Sequence, residues 1–185
     1  MSPCTRTRSN RLRTGCLFLA LSLTYLYARA SNSQEVPAQN GSTWVLHNAH
    51  NNLADGYDPH RDPEKDLASA REDAQRSNRN ILIVVGGNWC SWCHTMDRFF
   101  QDHPDLAALR DKNYVCVKVN MSQENRNRAF LSQFPRIPGY PHIFVLANTG
   151  TLIRSQPSDE LEDGKSYSQP LFKKFLERFA PKASQ

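Results

Sequence analysis

Short apolar runs alternate with helix-like patterns between residues 62 and 181. The run at 81–85 is continuous and rich in β-branched side chains, which is typical of a central strand covered on both faces. A second apolar run at 114–119 predicts another strand. A third run at 142–146 leads through the turn Asn148-Thr149-Gly150 into a partner strand at 151–155.

Helix-like patterns lie between these strands. Asp62-Pro63-Glu64 predicts a helix start, because Asp62 can cap, Pro63 fits the first turn and Glu64 complements the helix dipole. Further helices are predicted over 90–101, 105–111, 122–134 and 171–179. The helix over 122–134 is expected to carry Ala129, Phe130 and Leu131 on its inner face. The order of these elements predicts an α/β domain whose mixed central sheet is flanked by helices.

The first thirty residues have the pattern of a targeting segment. They contain five arginines and no acidic residue, an apolar run at 15–27, and then the small-x-small sequence Ala28-Arg29-Ala30. Thirteen helical residues reach only about 20 Å, short of the ~30 Å hydrocarbon core of a bilayer. We therefore predict a signal peptide over 1–30 cleaved after Ala30, a linker and irregular lead-in over 31–61, and a periplasmic or secreted domain over 62–181.

The charge of the chain is concentrated in that segment. The sequence has 23 Lys and Arg against 18 Asp and Glu, a formal charge of +5. Without the five N-terminal arginines, 18 basic residues face 18 acidic ones. The rest of the chain is formally neutral, so no nucleic acid is expected as a partner.

Cleavage after Ala30 would leave three of the five cysteines. Cys90 and Cys93 are too close in sequence to staple distant parts of a fold, so a chemical role is the better interpretation. Cys116 alternates with valines in the predicted strand at 114–119. We expect it to be an inert thiol in the core.

The sequence Trp89-Cys90-Ser91-Trp92-Cys93-His94 lies where the strand at 81–85 gives way to a helix. Residues three apart share a face of the first helical turn, close enough for a disulfide. The free N–H groups and the positive dipole end of that turn stabilise a thiolate. We expect Cys90 to be the exposed attacking sulfur and Cys93 the buried resolving one. His94 is a candidate modulator of the thiols.

These residues resemble the thioredoxin superfamily, specifically exported bacterial thioredoxin-like proteins, over roughly 62–180. The strand-Trp-Cys-x-x-Cys-helix unit is one part of the resemblance, and Gly139-Tyr140-Pro141 before the strand at 142–146 is the other. The resemblance implies a thioredoxin-like fold, a cis-proline at Pro141, and substrate contacts by Trp89, Tyr140 and Pro141. It also implies thiol–disulfide exchange with protein thiols or disulfides, no cofactor, and a membrane electron donor if the protein is a reductase.

Two positions depart from that family. Thioredoxin carries a buried Asp six residues before its first cysteine, where this chain has Val84. The inner pair Ser91-Trp92 differs from those of the best-known members. Reduction, oxidation and isomerisation of disulfides are therefore all compatible with the motif.

Two other classes of protein use the same residues differently. Cys90-Ser91-Trp92-Cys93-His94 also fits the c-type haem attachment pattern, with His94 as axial ligand. A redox-inactive binding module is the other alternative. No histidine has zinc-ligand spacing to the cysteines, so no metal site is predicted. His47, His50 and His60 are interpreted as solvated loop residues.

Overall fold

A four-stranded mixed sheet forms the centre of the computed structural model, which describes residues 56–182. Its strands are β1 (Asn80–Gly86), β2 (Tyr114–Asn120), β3 (His142–Leu146) and β4 (Leu152–Pro157), in the spatial order β2-β1-β3-β4. Strand β1 runs parallel to β2 and antiparallel to β3, and β3 runs antiparallel to β4. The mixed sheet predicted from the apolar runs is confirmed.

Helices cover both faces of this sheet. They are α1 (Pro63–Ser77), α2 (Ser91–Asp102), α3 (Pro104–Asn113), α4 (Arg128–Leu131) and α5 (Gln169–Arg178). The predicted start of α1 is confirmed, because the Asp62 carboxylate accepts the backbone N–H groups of Glu64 and Lys65 at 3.0 and 3.4 Å. Proline occupies the first turn of α1, α3 and α5, where its missing N–H removes no helical hydrogen bond.

Alternate residues of β1 enter two separate hydrophobic clusters. Leu82 and Val84 face the cluster that contains Cys93, the aromatic residues of α2 and those of α5. Ile81, Ile83 and Val85 face the cluster built with α1 and α4. Every position of β1 is buried, which explains why residues 81–85 are continuously apolar rather than alternating.

The helix predicted over 122–134 is wrong in extent. Only Arg128–Leu131 is α-helical, and the preceding segment is a loop held by asparagine side chains. Asn127 adopts a left-handed backbone (φ 45°), and its side-chain amide donates to the Asn120 carbonyl at 2.7 Å. Such side-chain bonds compete with helical backbone bonds. Phe130 is buried as expected, whereas Ala129 is exposed and Leu131 half-buried.

The acidic stretch between β4 and α5 forms regular structure. It contains a 3-10 turn (Ser158–Leu161) and a two-stranded hairpin of β5 (Glu162–Asp163) and β6 (Ser166–Tyr167). Leu161 and Tyr167 are buried in the cluster that holds Cys93. The segment therefore closes one side of the core.

Within residues 56–182, no helix is both long and apolar enough to span a bilayer. The predicted signal peptide and linker, together with His47 and His50, lie outside the described residues. Of the lead-in, Tyr57 is buried and His60 is exposed. The boundaries proposed for the signal peptide and the domain stay predictions.

Candidate active site

Cys90 and Cys93 form a disulfide at the junction between β1 and α2. Cys90 is the N-cap of α2, and the two Cα atoms are 5.2 Å apart. The Cys93 backbone N–H donates to the Cys90 sulfur over 3.2 Å. The first sulfur is thus held against the unpaired N–H groups of the helix start, where a thiolate would be stabilised.

The expectation that Cys90 is exposed is wrong for this disulfide state. Cys90 has a relative exposure of 4%, and Cys93 is fully buried. The Cys90 sulfur is turned inward, toward Cys93 and the helix backbone. The predicted order of accessibility holds, but the difference between the two cysteines is small.

Trp89 is the large exposed side chain next to the disulfide. It is 60% exposed, and its indole Nε1 donates to the Met121 carbonyl over 2.7 Å. Its ring meets the Tyr140 ring edge-on, with centroids 5.7 Å apart. A Cβ at Gly87 would lie 2.7 Å from that Met121 oxygen, so a glycine is needed for this close approach.

The Tyr140–Pro141 peptide bond is cis, as the family resemblance implies. Val85 pairs with His142 in the β1–β3 register, which puts Pro141 beside Gly86 at the end of β1 that leads to the cysteines. Tyr140 is half-buried, and burial raises the pKa of its phenol. The structure therefore brings Trp89, Tyr140 and Pro141 together around the cysteine pair.

His94 is exposed and fastens the first turn of α2 to the preceding loop. Its Nε2 lies 2.8 Å from the Asn88 carbonyl oxygen and donates to it. The Asn88 side chain in turn pairs with the backbone of Tyr57, accepting from its N–H and donating to its carbonyl, both over 3.1 Å. His94 therefore stabilises the loop geometry, and its influence on the thiols stays a prediction.

Tyr57 is a site residue that the sequence alone did not connect to the cysteines. Its side chain is 2% exposed. A Cβ added at Gly86 would lie 2.5 Å from the Cys93 sulfur and 3.0 Å from the Tyr57 hydroxyl oxygen. The sulfur and the hydroxyl thus converge on the space above one glycine. Burial raises the Tyr57 pKa well above its usual value, so the phenol stays protonated.

A buried ionic group lies beside Val84, the position at which thioredoxin carries its Asp. Lys118 of β2 is the register partner of Val84 and its side chain is only 2% exposed. The Lys118 ammonium is 3.0 Å from the Asp97 carboxylate of α2 and 5.0 Å from the centre of the Tyr57 ring. A lysine in an otherwise apolar strand was the available signal, but its partners depend on packing.

A depression of about 800 Å³ opens between Tyr57 and Trp89. Asn88, Asn120 and Met121 also line it. Trp89, which directly precedes Cys90, forms part of its lining.

Cys116 plays no part in this site. It is a free, fully buried thiol in β2, as predicted. Burial raises its pKa to about 12, so it stays protonated and unreactive in the folded protein.

The arrangement of strands, helices, cis-proline and disulfide defines a class: an α/β fold with a closely spaced cysteine pair at a helix start. A family model described as "Thioredoxin-like" matches residues 62–148. This match and the fold support membership of the thioredoxin superfamily. This fold is the context that favours a disulfide over haem attachment at the Cys-x-x-Cys-His sequence.

Solved structures have the same fold. A disulphide isomerase from Xylella fastidiosa Temecula1 aligns with a TM-score of 0.58 and 24% identity, covering 66% of this chain and 94% of that one. The reduced DsbD C-terminal domain from Neisseria meningitidis aligns with a TM-score of 0.50 and 14% identity, covering 64% and 96%. At these identities the likeness concerns the fold alone.

A curated relative matches over a shorter stretch. Spermatogenesis-associated protein 20 from Mus musculus is 30% identical over 54 residues, which is 29% of this chain and 7% of that protein. The match therefore spans a small part of its length. The fold, the family match and the cysteine pair together support a thiol–disulfide oxidoreductase as the general class.

Proposed function

We propose that this protein exchanges disulfides with protein substrates outside the cytoplasm, through Cys90 and Cys93. The observation that carries the proposal is the Cys90–Cys93 disulfide at the start of α2, beside the cis Tyr140–Pro141 bond. The pair forms a disulfide in place, and the helix start favours the thiolate that exchange requires.

In the reducing direction, the Cys90 thiolate attacks one sulfur of a substrate disulfide. A bond forms between Cys90 and that sulfur, and the other substrate sulfur leaves as a thiolate. The Cys93 thiol loses its proton and attacks Cys90, which restores the Cys90–Cys93 disulfide and releases the second substrate thiolate. Two electrons pass from the cysteine pair to the substrate, and the reverse sequence oxidises a substrate dithiol.

Trp89, Tyr140 and Pro141 are the proposed substrate contacts. Trp89 is exposed and Tyr140 is half-buried, and the two rings touch next to the disulfide. Aromatic side chains of this kind bury large areas of a bound chain at a low cost in conformational entropy. Pro141 directly precedes β3, and the backbone of the loop that it ends is the proposed contact for an extended substrate segment.

Export is proposed on the basis of the N-terminal sequence. A basic segment, an apolar run and Ala28-Arg29-Ala30 are the features of a cleaved signal peptide. An oxidising compartment would supply disulfide substrates. A reductase there would need a thiol donor on the membrane to return the pair to the dithiol form.

A trapping experiment tests this function. The Cys93→Ser variant should accumulate a mixed disulfide between Cys90 and a substrate peptide, because the resolving sulfur is missing. The Cys90→Ser variant should lose exchange activity, whereas Cys116→Ala should retain it. Full activity of Cys90→Ser would refute the mechanism, and absence of turnover with both reduced and oxidised substrates would favour a binding module. The reduction potential of the pair would then give the direction.

A further inference from the structure

A second groove, of about 490 Å³, is lined by Tyr140 and shares Met121 with the depression beside Trp89. Tyr140 and Met121 line this groove, and both contact Trp89: Tyr140 through its ring and Met121 through its carbonyl. Trp89 directly precedes Cys90. A chain whose cysteine reacts at Cys90 would therefore enter this groove with the residues that flank that cysteine.

The floor of the groove is apolar. Leu131, Phe134 and Ile137 line it, each half-buried and packed on the hydrophobic cluster behind the sheet. These side chains are fixed from below and leave one surface open to solvent. Such a floor suits an aliphatic or aromatic side chain of a bound segment.

The rim of the groove is positively charged. Arg126, Arg128 and Arg136 all line it and all are exposed. Across residues 56–182, none of the three makes an ion pair with a carboxylate. Residues 125–158 contain four arginines and no Asp or Glu, and the nearest acidic residue in sequence, Glu124, lines the neighbouring depression. We call this surface the arginine groove.

We infer that the arginine groove selects substrate segments in which the reactive cysteine is flanked by Asp or Glu. The inference rests on the proposed function, because it assigns the substrate class for the same cysteine pair. Side chains of an extended segment point alternately to opposite sides, so apolar residues can face the floor while acidic residues reach the rim. Guanidinium groups bind carboxylates through paired hydrogen bonds, so arginine is better suited than lysine to bind Asp or Glu of a substrate.

The size of the expected effect follows from the exposure of the rim. Exposed ion pairs are individually weak, so removal of all three arginines should lower kcat/KM for an acidic substrate roughly tenfold. The effect should vanish at about 1 M salt, where the Debye length is about 3 Å. A matched neutral substrate should change by less than about twofold, because an uncharged segment forms no ion pair with the rim.

The test compares two disulfide-containing peptides that differ only in Asp and Glu against Asn and Gln around the cysteine. Each is assayed with wild type, with Arg126→Gln/Arg128→Gln/Arg136→Gln, and with a control of equal charge change. The control is Lys112→Gln/Lys174→Gln/Lys182→Gln, three exposed lysines outside the groove. Oxidised glutathione serves as a small anionic disulfide in parallel.

We expect wild type and the lysine variant to prefer the acidic peptide, and the arginine variant to lose that preference. An equal loss for acidic and neutral peptides, or no preference in wild type, would overturn the inference. A loss as large for glutathione would also overturn it, because the arginines would then serve any small anion.

A binding measurement keeps this inference separate from the proposed function. Fluorescence anisotropy with an acidic peptide that has serine in place of cysteine reports on the groove without any exchange. If binding depends on the three arginines but the protein exchanges no disulfide, the proposed function is refuted and the inference about the arginine groove stands. If the protein exchanges disulfides without a preference for acidic peptides, the proposed function stands and the inference about the arginine groove is refuted.

Discussion

The hydroxyl of Tyr57 and the sulfur of Cys93 face the same space above Gly86. Tyr57 comes from the irregular segment before α1, and the Asn88 amide fastens its backbone to the active-site loop. The buried phenol stays protonated, so it can donate a hydrogen bond to an anion beside it. The anion that arises at this place during exchange is the Cys93 thiolate.

Tyr57→Phe should therefore slow the resolving step. A hydrogen bond from this phenol to the Cys93 thiolate would contribute about 1.5–3 kcal/mol, so without the hydroxyl the pKa of the Cys93 thiol should rise by roughly one unit or more. The rate of substrate release from a preformed Cys90 mixed disulfide can be measured by stopped-flow at a series of pH values. In the variant, the pH profile of this rate should shift to higher pH. The overall fold should remain, since only one oxygen is removed.

Tyr167→Phe is the matched control for that variant. Tyr167 is also a buried tyrosine of the same cluster, but its hydroxyl donates to the Trp92 carbonyl over 3.4 Å. Its loss should leave the pH profile of resolution unchanged. Equal shifts in both variants would show that general loosening of the cluster, and not the Tyr57 hydroxyl, controls the step.

Gly86→Ala should destabilise the protein, because the new methyl group would meet the Cys93 sulfur at 2.5 Å and the Tyr57 ring at 2.9 Å. Overpacking of this kind typically lowers the free energy of unfolding by about 1–3 kcal/mol. Gly139→Ala is the control, since a Cβ there meets no atom within 4 Å. Urea unfolding of both variants in the oxidised state gives the comparison, and an unchanged midpoint for Gly86→Ala would contradict the described packing.

The junction that carries Cys90 and Cys93 was predictable because all its signals are local. A buried strand, a break and a helix start follow one another within a few residues, and the spacing of the cysteines fits one helical turn. The position of Tyr57 was not predictable in this way. The lead-in has no periodicity, and its partner Asn88 lies 31 residues away, so only the folded chain brings them together.

The two errors in the predicted elements also have physical causes. A polar pattern predicts a helix over 122–134, but the side chains of Asn125 and Asn127 bond to the backbone and prevent helical conformation before Arg128. The exposure of Cys90 was inferred from its place at the helix start. A place at the end of a helix gives the direction of the backbone N–H groups but not which neighbours cover the sulfur.

Cys116→Ala should make stability less dependent on alkaline pH. Burial raises the folded-state pKa of this thiol to about 12, above its ordinary value near 9.0, so the folded state keeps its proton where the unfolded state releases one. The contribution of this thiol to the free energy of unfolding is fully present below pH 9. It is lost as pH rises toward 12, by about 1.4 kcal/mol per pH unit. The free energy of unfolding, measured with urea on the reduced proteins, should fall more steeply between pH 8 and 10.5 for wild type than for the variant. Parallel curves would mean that the thiol is already ionisable in the folded protein.

His142 should produce the opposite dependence on the acid side. It follows Pro141 and is buried. Its Nε2 is hydrogen-bonded to the Ser155 hydroxyl over 2.8 Å, and its Nδ1 has no hydrogen-bond partner within residues 56–182. Desolvation by burial lowers its pKa from 6.5 to about 4; the nearby Arg154 also lowers it, whereas Asp159 and Glu160 oppose the shift. The unfolded state therefore binds a proton that the folded state rejects. Stability from the neutral ring is present above pH 6.5 and is lost as pH falls toward 4.

His142→Gln should flatten that acid limb, because glutamine does not titrate. The difference in unfolding free energy between pH 7 and pH 5 should shrink by about 1–2 kcal/mol relative to wild type. His60→Gln, at an exposed position, should leave the wild-type slope intact. If His142→Gln and wild type lose stability in parallel between pH 7 and pH 5, the ring beside the cis-proline is protonated as easily as in solution, and burial does not control its titration.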